Sequence, residues 1–102
     1  MARVYVINRS SHDFSGAEKY GKLVFLSEGK VDKFQTNNIF RQFYHYLRNA
    51  EACDFLLCTG LTIMNIIAAS ILIRRFGKVN LLIYNDKNRT YAERLLDLSN
   101  IT

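Results

Sequence analysis

The chain contains no proline and no tryptophan, and only two of its 102 residues are cysteine. Two cysteines cannot supply the several disulfides that hold small secreted domains together. Cys53 and Cys58 also lack the CxxC pairing that a zinc site requires. We therefore expect reduced thiols, no bound metal and a cytoplasmic location, which for a viral protein would be the host cytoplasm.

The common catalytic signatures are absent as well. The sequence has no Walker A lysine motif and no GxGxxG, GxSxG or HExxH. Their absence excludes the usual nucleotide hydrolases, dinucleotide enzymes, serine hydrolases and metalloproteases. No cofactor is expected, and any enzymatic activity would be metal-independent, with phosphodiester cleavage as the candidate reaction.

The chain also lacks a hydrophobic run long enough for a membrane helix, which needs about 20 predominantly apolar residues. Residues 55–73 come closest, but Thr59, Gly60, Asn65 and Ser70 interrupt them. A short strand followed by a helix explains this stretch, and no membrane partner is expected.

The overall composition is that of a globular protein. Hydrophobic residues make up 49% and charged residues 23% of the chain, which excludes a disordered segment and predicts a single domain over residues 1–102. The formal net charge of +5 favours phosphate-bearing partners. The lysines and arginines are scattered, however, and a solvated cationic surface explains them as well as a nucleic-acid interface does.

Short apolar runs alternate with helical stretches along the sequence. The runs Val4–Ile7, Leu23–Leu26, Phe55–Cys58 and Val79–Tyr84 have the composition of buried strands. This alternation predicts an α/β fold, a small three-layer Rossmann-like domain around a mostly parallel sheet of four strands. The tail Arg89–Leu98 is either an antiparallel edge strand or a helix, and the turn-forming loop before it favours the strand.

Capping signals and periodicity predict the helices. Ser15 and Glu18 have the spacing of a capping box for a short first helix. Asn37 or Asn38 is expected to cap a second helix that ends near Ala50. The residues of this second helix that recur at the helical period form an aromatic stripe: Phe40, Phe43, Tyr44 and Leu47.

The third helix, Ile63–Phe76, has no polar face until Arg74 and Arg75. A helix that is apolar all round must be covered all round. The sheet covers one side, and the same helix of a second subunit is expected to cover the other, which gives a homodimer. The alternative is burial under the other helices of the same chain. Asn65 needs a hydrogen-bond partner, either across that interface or in a ligand crevice.

Polar residues follow each predicted strand, and ligands of open α/β sheets bind at the carboxyl ends of the strands. Four loops, at residues 8–13, 27–30, 59–62 and 85–89, are therefore expected to face one crevice. In the third of these loops a glycine allows close approach, and the helix that follows attracts phosphate. The ligand-binding candidates are Asn8, Arg9, Ser10, Ser11, Lys30, Thr59, Gly60, Thr62 and Arg89.

His12 is the candidate catalytic residue, a general acid or base oriented by a nearby carboxylate. Arg9, in the same loop, has the geometry to clamp a phosphate through two hydrogen bonds. The alternative is a solvated loop in which Asp13 or Ser15 only caps the short helix that follows.

Residues 55–62, the helix after them and the strand that follows resemble the last strand–loop–helix–strand unit of CRISPR-associated Rossmann-fold (CARF) sensor domains. Those domains are dimers that bind cyclic oligoadenylates across the subunit interface, and their loop often reads T-G-G-T followed by lysine. The matching positions are Thr59, Gly60 and Thr62, and the differing positions are Leu61 and Ile63. The resemblance implies a dimer with a cyclic-oligonucleotide ligand.

Residues 4–15 and 21–29 also resemble small uncharacterised phage-borne α/β proteins. The leading hypothesis is a homodimeric domain that binds a nucleotide-like, phosphate-bearing ligand, such as a cyclic oligonucleotide immune signal, and sequesters or cleaves it. The alternative is a phage-type interaction or inhibitor protein that acts on a protein partner. The third hypothesis is a weak nucleic-acid binder, whose affinity would fall steeply with salt.

Overall fold

The computed structural model describes residues 2–99, in which five strands form one sheet in the order β2-β1-β3-β4-β5. The strands are β1 (Arg3–Val6), β2 (Lys22–Phe25), β3 (Phe55–Leu57), β4 (Lys78–Asn85) and β5 (Thr90–Asp97). The first four strands are parallel, and β5 pairs antiparallel with β4 along its whole length. The predicted mostly parallel α/β sheet is confirmed. The tail is the antiparallel edge strand, so the sheet has five strands rather than four.

Three helices connect the parallel strands: a 3₁₀ helix (Ser15–Tyr20), α1 (Thr36–Leu47) and α2 (Thr62–Phe76). The chain moves in one direction along the sheet from β1 to β2 and in the opposite direction from β2 to β3. Because crossovers between parallel strands are right-handed, this reversal puts the 3₁₀ helix on one face of the sheet and both α-helices on the other.

The helical face, covered by α1 and α2, holds the larger core. Thirteen buried residues form one cluster there, including Tyr5 and Leu56 from the sheet, Phe43 from α1 and Met64 from α2. Successive residues of a strand point to opposite faces, so Val4, Val6 and Leu57 belong instead to a second cluster of six buried residues. We call that second side the thin face, because the 3₁₀ helix is its only helical cover within residues 2–99. The predicted three-layer, Rossmann-like arrangement is therefore not confirmed.

The helix α1 differs from its sequence prediction at its start and along its stripe. It begins at Thr36 with Gln35 in the capping position and no side-chain cap, so the predicted cap at Asn37 or Asn38 is wrong. Its buried residues are Ile39, Phe43 and Leu47. The other two members of the predicted stripe, Phe40 and Tyr44, are both 45% exposed because no further layer covers that side of the helix.

The helix α2 is covered partly within the chain. It packs on the sheet with Met64, Ala68, Ile71 and Leu72 buried, and α1 lies along its flank. Ile66 remains 55% exposed, so the expectation of cover all round is not met within this chain. The homodimer through Ile63–Phe76 stays a prediction. Among residues 2–99, no helix combines the length and apolarity that crossing a bilayer requires.

Candidate ligand-binding cleft

The strand order reverses between β1 and β3, and such a switch point is where open α/β sheets bind ligands. A cleft of about 770 Å³ opens beside the loops that leave these two strands, and we call it the switch-point cleft. The loop between β2 and α1 forms its other wall. Its lining residues are Asn8, Gly29, Lys30, Val31, Asp32, Lys33, Phe34, Gly60, Leu61 and Met64.

Gly60 brings the loop after β3 against the loop after β1. Its φ of +76° is left-handed, a conformation that favours glycine. A Cβ at this position would lie 2.9 Å from Met64 Cε and 3.5 Å from Asn8 Cβ. Both the backbone angle and the available space therefore require glycine, and the backbone at Gly60 stays open to the cleft.

Asn65 fixes the loop that contains Gly60. Its Nδ2 donates to the carbonyl oxygens of Thr59, at 2.9 Å, and Leu61, at 2.8 Å. Its Oδ1 accepts the Thr59 N–H at 3.2 Å. The partner predicted for Asn65 in an interface or a ligand is thus supplied by the chain itself. The loop enters α2 with Leu61 in the capping position and no side-chain cap. The Met64 and Asn65 N–H groups bond the Leu61 carbonyl, so the two amides before them, those of Thr62 and Ile63, keep their capacity for another acceptor.

The loops after β1 and β2 are joined by a short ladder. The Arg9 N–H donates to the Ser27 carbonyl at 2.8 Å, and the Gly29 N–H donates to the Arg9 carbonyl at 3.2 Å. Asn8 Nδ2 donates to the Gly29 carbonyl at 3.0 Å, while the buried Ser27 hydroxyl lies 2.9 Å from Asn8 Oδ1. Asn8 therefore braces the cleft wall, and this bracing holds Lys30 beside the loop after β3.

Two lysines and one aromatic ring form the rim of the cleft. Lys30 and Lys33 line it, and the Lys33 ammonium lies 5.4 Å from the centroid of the Phe34 ring. Phe34 is 81% exposed. Asp32 Oδ1 accepts the Phe34 N–H at 3.0 Å, which stabilises the turn of the loop at these residues. Sequence reasoning missed Lys33 and Phe34, although a lysine beside an aromatic residue in a polar loop was a visible signal.

Arg9, Ser10 and His12 lie elsewhere, in a second cleft of about 710 Å³ between the 3₁₀ helix and β2. The Arg9 guanidinium carbon is 3.8 Å from the centroid of the Phe25 ring, and Arg9 Nε is 3.8 Å from Glu28 Oε1. Arg9 therefore stacks on the thin face and does not reach the switch-point cleft. The expectation of one crevice shared by four loops is wrong, because the candidate residues divide between the two faces of the sheet.

His12 also lines a third, smaller cavity of about 330 Å³ with Thr59, Cys58, Tyr84 and Tyr91. Burial raises the pKa of the Cys58 thiol, so this cysteine is held in its unreactive protonated form. The Ser15 N–H donates to Asp13 Oδ1 at 2.9 Å, and this contact lowers the pKa of Asp13. Asp13 thus makes the hydrogen bond at the start of the 3₁₀ helix. Phe14 occupies the capping position of this helix without a side-chain cap, so the capping box predicted for Ser15 and Glu18 is not formed.

The remaining candidates, Ser11, Thr62 and Arg89, line none of these three cavities. Arg89 lies in the turn between β4 and β5, where its φ of 55° is left-handed. Thr62 is the first residue of α2. No group of three or more possible metal ligands occurs within residues 2–99. The switch-point cleft thus gathers Asn8, Lys30 and Gly60 from the predicted set and adds Lys33 and Phe34.

The fold and the cleft define a small α/β protein with an open, mostly parallel sheet and a polar loop cluster at its switch point. The chain belongs to the family of phage Pam3 gp32-like proteins, whose family model matches residues 2–98. The expected kinship with small phage-borne proteins is therefore confirmed. No curated protein and no solved structure gives a significant match to the chain.

Proposed function

We propose that this phage protein binds a nucleotide-like, phosphate-bearing small molecule in the switch-point cleft. The observation that carries the proposal is the conjunction of two lysines, an exposed aromatic ring and an uncapped helix start around one cleft at the strand reversal. Each of these three features suits a different part of a nucleotide, and the cleft's volume of about 770 Å³ lies within the range of small-molecule sites.

The phosphate end of such a ligand would lie at Gly60 and the first turn of α2. The amides there point out of the helix, and the helix dipole favours a negative charge at its N-terminus. Lys30 and Lys33 add two positive charges, whereas the only acidic residue of the lining, Asp32, has an oxygen engaged by the Phe34 N–H. The lining therefore favours an anion over a neutral or cationic ligand.

The base of the ligand would stack on Phe34. An 81% exposed phenylalanine has little role in the core, and stacking of a base on an aromatic side chain contributes about 1–3 kcal/mol. The absence of a hydrogen-bonding group on this ring suits several bases alike. The CARF resemblance of residues 55–62 supports cyclic oligoadenylates as the ligands to test first, and capture of such a nucleotide immune signal would suit a phage protein.

Binding without cleavage is the form of the function that the site supports best. His12, the residue expected to act in phosphodiester cleavage, lines the second and third cavities and not the switch-point cleft. The switch-point cleft has no histidine in its lining, and one oxygen of its only carboxylate, Asp32, is bonded to the Phe34 N–H. We expect sequestration of the ligand rather than turnover.

A thermal-unfolding screen tests the proposal. The probes are AMP, ADP, ATP, cyclic di-, tri-, tetra- and hexa-adenylate, and inorganic phosphate as the control for simple anion binding. A ligand at 100 times its Kd stabilises the folded chain by about 2.7 kcal/mol, which should raise Tm by roughly 10 °C or more in a chain this small. If no nucleotide raises Tm more than phosphate does, the proposal is wrong.

Two matched double variants locate the site. The pair Lys30→Glu with Lys33→Glu should abolish the nucleotide-induced rise in Tm. The pair Lys19→Glu with Lys22→Glu makes the same change in net charge on the 3₁₀ helix and β2 and should leave the rise intact. Equal loss in both variants would indicate non-specific charge attraction, and loss only in the second would move the site to the thin face.

A further inference from the structure

A separate groove runs between α1 and α2 on the outer side of the helical face, away from the sheet. It has a volume of about 720 Å³. Its floor is apolar: Phe40 and Tyr44 line it from α1, and Ile66, Ile67 and Ile71 line it from α2. We call it the interhelical groove. Its lining shares no residue with the switch-point cleft, so it is independent of the proposed nucleotide site.

The groove exposes large apolar side chains to solvent. Ile66 is 55% exposed, and the Phe40 and Tyr44 rings stack on each other with centroids 5.7 Å apart. Contiguous apolar surface of this kind on a small protein marks an interaction site more often than isolated exposed residues do. The two stacked rings form one continuous aromatic surface on α1.

The shape of the groove suits a helix. Lining residues extend from Thr36 to Tyr44 on α1 and from Ile66 to Arg75 on α2. At 1.5 Å per residue each wall is roughly 12 Å long, or about two helical turns. Both helices return the chain between parallel strands, so they run side by side in the same direction. A third helix can lie along them, as in helix-in-groove recognition.

The charge of the groove selects the kind of helix. Neither α1 nor α2 contains an aspartate or a glutamate, whereas together they contain Arg41, Arg74 and Arg75. Arg75 is engaged, since its Nη1 donates to the Leu47 and Ala50 carbonyls at 2.6 and 2.8 Å. Arg74 is exposed at the end of the groove, and within residues 2–99 the single ion pair is the one between Arg9 and Glu28.

A second copy of this chain would bring the same cationic, carboxylate-free surface to the groove. Like charges brought together at an interface cost free energy and are a common means of excluding a partner. Acidic side chains on the occupant would instead pair with Arg74. The charge pattern therefore favours a different protein over the homodimer that the apolar character of Ile63–Phe76 alone suggests.

We propose that the interhelical groove binds an amphipathic helix of a partner protein, with apolar residues facing Ile66 and Phe40 and acidic residues beside Arg74. The chain would then carry two separate functions: a ligand cleft at the carboxyl ends of its strands, and a protein-docking surface on its helical layer. If one of these two proposals fails its test, the other is unaffected, because the two sites are tested with different probes and different variants.

Binding of a labelled peptide to the intact chain, followed by fluorescence anisotropy, tests this proposal. The probe is a synthetic 18-residue amphipathic helix with leucines on one face and glutamates flanking them, and the control carries lysines in place of the glutamates. The acidic peptide should bind at least about tenfold more tightly than the basic one. Equal binding of both peptides, or no binding of the acidic one, would overturn the proposal.

Matched variants assign the binding to the groove. Ile66→Asp should lower the affinity for the acidic peptide at least about tenfold, as expected for a residue at the centre of an interface. Leu95→Asp is the control, because Leu95 is 57% exposed, close to the 55% of Ile66, but lies on β5. Arg74→Glu should shift the preference towards the basic peptide, whereas Arg94→Glu, on β5, should leave it unchanged. Equal effects of the groove and β5 variants would refute the assignment.

The oligomeric state and nucleic-acid binding give the remaining outcomes. Light scattering of the purified chain should give a monomer mass with and without Ile66→Asp. A dimer that Ile66→Asp dissociates would show that the groove holds a second copy, which overturns the proposal. Displacement of the acidic peptide by a single-stranded oligonucleotide with a steep salt dependence would overturn it too, in favour of a nucleic-acid surface.

Discussion

The two faces of the sheet differ in cover, in packing and in charge. The helical face carries two complete helices over thirteen buried residues, and those helices contain no acidic side chain. The thin face carries one 3₁₀ helix of six residues and a cluster of six buried residues; that helix contains Glu18, and the loops of this face contain Asp13 and Asp86. One side of the sheet is therefore covered by two helices without acidic residues, and the other by a thinner layer of mixed charge.

This difference teaches where stability and function lie. The features that suit a ligand or a partner, the switch-point cleft and the interhelical groove, both belong to the better-packed side. A binding site keeps its geometry more precisely when helices and strands support it, and here α1, α2 and the Asn65 hydrogen bonds give that support. The residues expected to act chemically, Arg9 and His12, lie on the side with less support.

Two neighbouring leucines of β3 provide the largest expected effect. Leu56 points to the helical face and Leu57 to the thin face, and both are buried. Leu56→Ala should lower the free energy of unfolding by about 4 kcal/mol, because the helices above it cannot close a cavity. Leu57→Ala should cost about 1 kcal/mol less, since the short 3₁₀ helix can settle into the space. Urea denaturation checks both, and a larger loss from Leu57→Ala would reverse the comparison of the two faces.

Substitution of Arg75 gives the next largest expected loss of stability, because this residue of α2 forms hydrogen bonds to the C-terminal end of α1. Its guanidinium bonds the Leu47 and Ala50 carbonyls, so Arg75→Met should cost about 2 kcal/mol while keeping the apolar stem. Arg74→Met, one residue earlier, should stay within about 0.5 kcal/mol of the unchanged chain. Equal Tm values for the two variants would show that the Arg75 hydrogen bonds between the helices contribute nothing to stability.

Alanine substitutions at Gly60 and Gly77 distinguish the cost of backbone strain from the cost of a steric clash with a neighbouring side chain. Both have left-handed φ values, +76° and +71°, but only Gly60 has neighbours within 4 Å of an added Cβ. Alanine at either position should cost about 1–2 kcal/mol, and slightly more at Gly60, where Met64 must move. Only Gly60→Ala should also weaken nucleotide binding. Loss of binding in Gly77→Ala as well would mean that α2 as a whole, rather than the cleft, had changed.

Asp13 gives the smallest effect and belongs to the thin face. The hydrogen bond from the Ser15 N–H lowers its folded-state pKa below the ordinary 3.8, so its stabilising contribution is present above that value and is lost as pH falls through the lowered pKa. Asp13→Ala should therefore destabilise the chain slightly at neutral pH and not at strongly acidic pH. Asp13→Asn, which keeps an acceptor oxygen, should be less pH-dependent, and urea denaturation across this pH range checks both variants.

Much of the fold was predictable from local patterns. The apolar runs marked the four parallel strands, and the loop at residues 85–88 indicated the β4–β5 hairpin. The strand order was not predictable, because it depends on contacts between distant segments. The covering of α2 by α1 and the exposure of Phe40 and Tyr44 follow from that order, since it puts both α-helices on one face.

The candidate site was predictable only in part, for a local reason. The chain bends at Ile7, directly after β1, so the alternation of the strand does not continue into the loop. Asn8 turns to the switch-point cleft, and Arg9 turns to Phe25 on the thin face. Lys33 and Phe34 were missed because hydrogen bonds between distant segments bring the loop before α1 to the cleft, through Asn8 to Gly29 and through the backbone of Arg9 to Ser27 and Gly29.

The central claim is that a nucleotide binds at the switch point of the sheet and not on the thin face. Amide NMR of the ¹⁵N-labelled chain, titrated with ATP and with cyclic tetra-adenylate, tests it most directly. The account predicts saturable shifts at Lys30, Lys33, Phe34, Gly60 and Leu61 for at least one of the two ligands, with the amides of residues 9–20 unmoved. Shifts confined to residues 9–20, or none with either ligand, would contradict it.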